Sequence, residues 1–349
     1  MGNNSIDRFF EDSALGIGEF ELIERFFLRS ASRARAPESV LLGIGDDAAL
    51  LRVPVGSDLV AAVDTIVAGR HFLFEADARC IGHRALAVNL SDFAAMGACP
   101  AWATLALTLP SADPVWLEGF AAGLWELADR TGVALVGGDT TGGPLTVSLQ
   151  LLGHVPRGTA VLRSGARPGD LLAVTGTLGD AGAGLWLAQA RDAALGCGRA
   201  EALPYDRLLA DELIRRFEYP EPRVQFGLAA RGIATAAMDV SDGLVGDLPK
   251  LAAASRVSAK VEVDRLPLSR AMRELASPQQ ARDWALAAGD DYELLLAFPP
   301  DRFGHLAEAA ARLGLALTAI GEVGPGSGVT WVLNGQLFDP GTSGYDHFR

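Results

Sequence analysis

A chain of 349 residues is longer than one hydrophobic core usually serves, about 250–300 residues, so two domains are expected, each able to fold without a disulfide or metal staple. Its 43 acidic and 30 basic residues give a net charge of −13, which argues against general nucleic-acid binding. No uncharged apolar run approaches the roughly 18 residues of a membrane span.

Residues 1–18 read as a loose lead-in, and MGNNSIDRFFEDSALG has neither the basic nor the apolar region of a secretory signal. From Glu19 to about Ser32, apolar residues at 20, 22, 23, 26, 27 and 28 predict a helix. Short strands are expected at Val40–Leu42, Ala48–Val53 and Leu59–Val63. Asp77 is the expected N-cap of a helix over 77–96, with Gly97 beyond its end. A strand at Trp102–Leu109, an amphipathic helix over 114–130, a buried strand Val133–Val136 ending at Gly137-Gly138-Asp139, and a strand Thr146–Val155 complete the first half. Residues 156–170, rich in Gly, Pro and charge, connect it to the second. There, strands are expected at Leu171–Thr175, Thr235–Val240, 261–263, 294–298 and 316–320, and helices near 183–193, 244–254 and 301–313. This alternation predicts two α/β (α+β) domains, 19–155 and 156–349.

Cys80, Cys99 and Cys197 are far apart and lack CxxC spacing. They read as reduced thiols of a cytoplasmic protein. Lys250 and Lys260 are the only lysines, and neither follows a GxxxxG segment. A P-loop or a protein-kinase site needs such a lysine, so any phosphate here is held by another device.

That device is aspartate set where short strands meet glycine. The segments are GIGDDAALL (43–51), AVDTIVAGRHF (62–72), NLSDFAAMGA (89–98), VGGDTTGG (136–143) and MDVSDGLVGD (238–247), with AAGDDYELL (287–295) further on. A single Asp–Gly pair is what any turn looks like. Five in 250 residues, four of them at expected strand C-terminal ends where open α/β sheets bind ligands, are more than punctuation. Asp92 is the helical exception. Carboxylates gathered in one cleft repel by several kcal/mol at about 4 Å, so they imply cations. Oxygen donors without Cys or paired His point to Mg²⁺, Mn²⁺ or Ca²⁺, and Mg²⁺ held by a few carboxylates is commonly shared with substrate phosphates. Ser241-Asp242-Gly243, between a strand and a helix, offers amide donors to an anion, and Thr175–Gly184 is a second such junction. Two readings from other classes stay open on these residues: a Mg²⁺-dependent phosphohydrolase, and a nucleotide or metal sensor without turnover.

Taken in order, GEFELIERFF (18–27), GIGDDAALL, D-T-x-V-A-G-x-H-F (64–72), NLSDFAAMGA, VGGDTT, VLRSGARPGD (161–170), DVSDGL, GDDYEL and GYDHF (344–348) resemble the thiamine-monophosphate kinase family over nearly the whole chain. The resemblance implies an aminoimidazole ribonucleotide synthetase-like fold of two α/β domains, the N-terminal half forming a dimer sheet or barrel. It also implies ATP-dependent phosphorylation of thiamine monophosphate to thiamine diphosphate, the last step of that biosynthesis, with several Mg²⁺ ions. Carried over by residue, Asp46, Asp64, Asp92, Asp139, Asp239 and Asp242 would hold metal, with Asp47 beside Asp46. Gly138, Asp139, Arg163 and Ser241 would contact ATP, and His71, Asp290 and Tyr345 the thiamine phosphate. Two departures stand out: Ala62 and Val63 replace hydroxyl residues, and Asp290 stands where the family tends to carry Glu. Selenophosphate synthetase would need a cysteine within residues 1–45, and the hydrogenase-maturation relative a terminal cysteine; neither is present. Aminoimidazole ribonucleotide synthetase is the nearest competing enzyme. Because the acceptor is an ionised phosphate, direct in-line transfer is expected, with no phosphoenzyme and no protein base.

Overall fold

The computed structural model of the protein describes residues 18–28, 37–196, 206–342 and 344. The lead-in through residue 17, the end of the expected first helix, Cys197, and Tyr345 with the residues after it lie outside these. Glu19–Leu22 (α1) is helical and passes into a π-helical turn over Ile23–Phe27, burying Leu22 and Phe27. Val40–Leu42 (β1) and Leu50–Leu51 (β2) pair antiparallel around the GIGDDAA turn.

Ser57–Val67 (β3), Cys99–Leu109 (β4), Ala134–Gly142 (β5) and Thr146–Pro156 (β6) form a four-stranded sheet in the order β3-β6-β4-β5, antiparallel except for the β4–β5 pair. Two of these strands outrun expectation. β3 continues past Val63 to pair Asp64 with Leu149 and Val67 with Thr146. β5 continues through Gly137-Gly138-Asp139, with Asp139 opposite Ala106. Asp64 and Asp139 are therefore not at strand C-terminal ends but within ladders. Ladder bonds are made by the backbone, so a carboxylate does not stop the strand, whether it is exposed as at Asp139 or half-buried on the α2 side as at Asp64.

Ala78–Met96 (α2) packs against this sheet, and Pro114–Thr131 (α3) packs on α2. Both begin at capping aspartates, Asp77 accepting from the Arg79 amide and Asp113 from the Val115 amide, and both end at left-handed glycines, Gly97 and Gly132. A Cβ on Gly82 would stand 2.0 Å from the Phe120 carbonyl oxygen, and one on Gly123 1.9 Å from that of Arg79. The two helices thus meet backbone to backbone.

The second half contains Leu171–Thr175 (β7), Asp180–Gly196 (α4), Arg207–Glu218 (α5), Val224–Ala230 (α6), Ala236–Val240 (β8), Leu244–Ser255 (α7), Ser258–Glu262 (β9), Arg270–Leu275 (α8), Pro278–Ala287 (α9), Glu293–Phe298 (β10), Phe303–Arg312 (α10), Leu317–Gly324 (β11), Gly328–Leu333 (β12) and Gln336–Phe338 (β13). Its seven strands run β13-β12-β9-β11-β7-β10-β8, parallel only between β12 and β9. The α/β expectation holds for both halves, although α5, α6, α8, α9, β12 and β13 were not anticipated. No helix among the described residues is long and apolar enough to cross a membrane.

One element ties the halves together. Besides α3 and its own sheet, α2 contacts α6, β8 and β10, and it is buried from Ala78 to Ala95 apart from Arg79 and the half-buried Asp92. The 156–170 connection is pinned too: Val161 donates its amide to the Met96 carbonyl, and the Gly165 and Ala166 amides reach Ser255 Oγ.

Candidate functional site

Four of the segments that line a cleft of about 1080 Å³ bring the candidate polar residues. β3 and the turn after it supply Asp64 and His71, α2 supplies Val88 and Asp92 one turn apart, β8 and its turn supply Asp239, Ser241 and Asp242, and the loop before β10 supplies Asp290. The alternation of β3 turns Asp64 to the side that faces α2.

Asp64, Asp92 and Asp239 carry no ion pair among the described residues. Burial pushes the Asp64 carboxyl up. Burial, then the neighbouring Asp239 and Asp64 charges, push Asp92 up to about 7, with Arg163 opposing. Burial pushes Asp239 up to about 6, with the Ser91 hydroxyl pulling it back. Half-buried like charges of this kind take up protons unless a cation replaces them. Oxygen donors suit Mg²⁺. Among the described residues no three His, Cys, Asp or Glu side chains lie close enough to grip one ion unaided. That fits a hydrated ion completed by substrate phosphate better than a closed protein cage.

The turn after β8 corrects the sequence reading. The Ser241 and Asp242 amides do not point at a vacant anion seat: both donate to Asp247 Oδ2, at 2.9 Å each. Lys250 Nζ closes the knot, 2.6 Å from Asp242 Oδ2 and 2.9 Å from Asp247 Oδ1. The Thr175–Gly184 junction is likewise filled from within, since buried Asp291 accepts from the Gly179 amide at 2.6 Å and the Ala181 amide at 3.2 Å. In both places a carboxylate of the chain itself takes up the amides at or just ahead of the helix start.

His71 and Asp290 sit across this cleft. His71 Nδ1 accepts the Val67 amide at 3.0 Å. An amide can only donate, so the lone pair of the neutral ring lies at Nδ1 and its hydrogen at Nε2. Asp290 is held at φ +69°, with its amide on the Ser241 carbonyl and its carboxylate 2.5 Å from Arg84.

The other expected ligands lie elsewhere in the chain. Asp46, Asp47, Gly138 and Asp139 line a separate cleft of about 790 Å³, between the GIGDDAA turn and β5, with Ile23, Phe27 and Leu135 as an apolar wall. Arg163 borders a hollow of about 500 Å³ that reaches Asp92 and Asp239 from behind. The seven expected metal carboxylates are thus split within one chain: Asp64, Asp92, Asp239 and Asp242 share one cleft, and Asp46, Asp47 and Asp139 the other. Tyr345 lies outside the described residues. Arg84, Asp247, Lys250 and Tyr292 were missed by the sequence reading. Arg84 alone carried a usable signal, being a cation inside an apolar helix at a spacing of four and eight from Val88 and Asp92.

Residues 45–155 match the family of AIR synthase related proteins, N-terminal domain, and residues 167–334 its C-terminal domain. The chain is 44% identical over 335 residues to the thiamine-monophosphate kinase of Escherichia coli K12, covering 96% of this chain and 99% of that protein. It is similar to the crystal structure of thiamine-monophosphate kinase from Stenotrophomonas maltophilia, with a TM-score of 0.81, 46% identity, and 93% and 99% of the two chains covered. It is also similar to AaThiL complexed with AMPPCP and TMP, with a TM-score of 0.72, 31% identity, and 95% and 97% covered. Hydrogenase maturation protein HypE shares the fold, with a TM-score of 0.66 at 20% identity and 93% and 95% covered.

Proposed function

The chain belongs to the thiamine-monophosphate kinase family of AIR synthase related proteins, and from that premise we propose how its residues carry out the reaction. The reaction transfers the γ-phosphoryl group of ATP to thiamine monophosphate, giving ADP and thiamine diphosphate. The observation that carries the assignment of residues is the group of three carboxylates without an ion pair among the described residues, half-buried Asp64 and Asp92 and buried Asp239, which line one cleft with His71 and Asp290. With Asp242 they would hold Mg²⁺, which supplies the positive charge that lets two phosphate anions approach. Asp46, Asp47 and Asp139 would hold further Mg²⁺. Gly138, Asp139, Arg163 and Ser241 contact ATP in this reading, Ser241 through its side chain because its amide is taken. His71, Asp290 and Tyr345 contact the acceptor. A phosphate monoester has its second pKa at about 6, so its attacking oxygen is already ionised at neutral pH. His71, with its hydrogen at Nε2, donates to that phosphate and holds it in line. No protein group has a proton to remove. Incubation with Mg-ATP and thiamine monophosphate tests the reading, the expected products being ADP and thiamine diphosphate. ADP released at the same rate without acceptor would instead mark a phosphohydrolase.

The split of the carboxylates between two clefts supports a homodimer, in which a second copy brings its own Asp46–Asp139 group beside this Asp64–Asp239 group. Leu59 and Val63 on β3 are 56% and 64% exposed, an apolar face suited to being covered. Light scattering at micromolar concentration should give twice the chain mass, and the mass of one chain would reject the dimer. We place the reaction in the cytoplasm, where the free thiols of Cys80 and Cys99 stay reduced.

The raised carboxyls also set a pH dependence. Asp92 and Asp239 bind protons more tightly folded than unfolded, so their contribution to stability is present below about pH 4 and is lost as pH rises through about 6 to 7. A cation that replaces those protons should therefore stabilise the fold more at pH 8 than at pH 5.5. Thermal melts with and without millimolar Mg²⁺ check this, and equal shifts at the two pH values would count against Asp92 and Asp239 as its ligands.

A further inference from the structure

We propose that Arg84 is a positioning residue for the acceptor: it grips Asp290 by one carboxylate oxygen and thereby aims the other at the cationic or amine-bearing ring system of thiamine monophosphate. The proposal rests on the reading that Asp290 contacts the acceptor. Arg84 is buried in α2, its side chain 2% exposed. Its guanidinium lies over the Phe217 ring at 4.8 Å and the Tyr292 ring at 5.9 Å, and Nη1 donates to the Phe217 carbonyl. Neither Nε nor Nη2 has a well-directed hydrogen bond; Nη2 is held by charge, in an ion pair with Asp290, the one carboxylate paired with this guanidinium among the described residues. A buried guanidinium whose carboxylate moves away is costly, and Asp290 is held accordingly.

The grip is one-sided. Arg84 Nη2 and the Tyr292 hydroxyl, at 3.1 Å, both reach Oδ1 of Asp290. Oδ2 has no partner among the described residues, although the side chain is 29% exposed and lines the cleft with Asp64 and His71. The backbone is spent on the same end: Asp290 and Tyr292 stand at φ +69° and +51°, a region that non-glycine residues enter at a cost. Their amides are tied to the Ser241 and Val240 carbonyls. A side chain one methylene shorter than glutamate gains definition from this clamp. Thiamine carries a thiazolium charge and an aminopyrimidine, both of which a fixed carboxylate oxygen recognises.

The test uses the full chain and steady-state kinetics with each substrate varied. Arg84→Lys keeps the charge but loses the planar fork. It should raise KM for thiamine monophosphate about tenfold, with kcat and KM for ATP within about twofold. Asp290→Asn should raise the same KM, and adding Arg84→Lys to it should raise it no further. A change shared equally by both substrates, no change, or an effect that persists in the Asp290→Asn background would overturn the proposal. If Arg84→Lys does not fold, Tyr292→Phe takes its place, with about a threefold rise expected for thiamine monophosphate alone; an unchanged KM would overturn the proposal there. Wild-type protein that makes no thiamine diphosphate would overturn the functional reading and this inference with it, whereas normal wild-type turnover with unaltered variants overturns this inference only.

Discussion

Replacing Asp92 with Asn is expected to slow phosphoryl transfer by about 100- to 1,000-fold while making the substrate-free protein slightly harder to melt. The two effects have one origin. Asp92 is pushed up to about 7 by burial and by Asp239 and Asp64, so in the empty fold its charge is unwelcome, and an amide of the same shape removes the repulsion. A gain of about 1–3 °C is the scale of one to two kcal/mol in a chain of this size. In the proposed reacting complex the same charge would hold a cation beside the phosphates, and losing one such electrostatic contact commonly costs about 3–4 kcal/mol of barrier. Turnover assays at limiting Mg²⁺ and melting curves read the two sides separately. Wild-type turnover in Asp92→Asn would remove Asp92 from the metal site, and a large fall in melting temperature would show that the carboxylate is structural.

Unphosphorylated thiamine should be a very poor acceptor, with kcat/KM lower than that of thiamine monophosphate by about 10,000-fold or more. In the proposed mechanism it lacks the ionised oxygen that would attack and the group that would share the cations, and a site built around a polar group rejects the analogue without it by about that factor. Its hydroxyl would need a base, and His71 is set against that role because its lone pair at Nδ1 is committed to the Val67 amide. A coupled ADP assay with both acceptors decides the matter. Thiamine turning over within tenfold of its phosphate would mean that a base is present. A single in-line displacement must also invert a chiral γ-phosphorus, so retention there would require a phosphoenzyme.

Helix α2 was legible almost to the residue because its two ends are written as local chemistry, a capping aspartate at 77 and a left-handed glycine at 97. Helix α9 carries an equally readable start, a Ser277–Gln280 capping box with Pro278 behind the cap, and was passed over because the apolar spacing after it is short. The ends of β3 and β5 differ from expectation for a physical reason: an acidic residue interrupts an apolar run but not a ladder, whose bonds are made by the backbone. The candidate carboxylates stood out by recurrence, since one Asp beside Gly is what any turn looks like but five such settings in 250 residues are not. Which of them share one cleft could not, because Asp46 and Asp64 are near in sequence yet belong to different cavities. The occupation of the helix amides by Asp247 and Asp291 was equally hidden. Whether an amide cluster serves a ligand or the chain's own carboxylate depends on how the following turn folds back.

Helix α2 is wrapped on one side by the first sheet and α3, and on the other by α6, β8 and β10. During synthesis it leaves the ribosome long before the second half exists, so its far side, with Arg84 and Val88, stays bare until β8 and β10 arrive. Cutting the gene within the 156–170 connection would leave that side uncovered for good, and the first half alone would be a sticky, chaperone-dependent fragment. The two halves are separate in sequence pattern but not in inheritance: a recombination event that moved either one without the other would carry away half the wall of the cleft that both line.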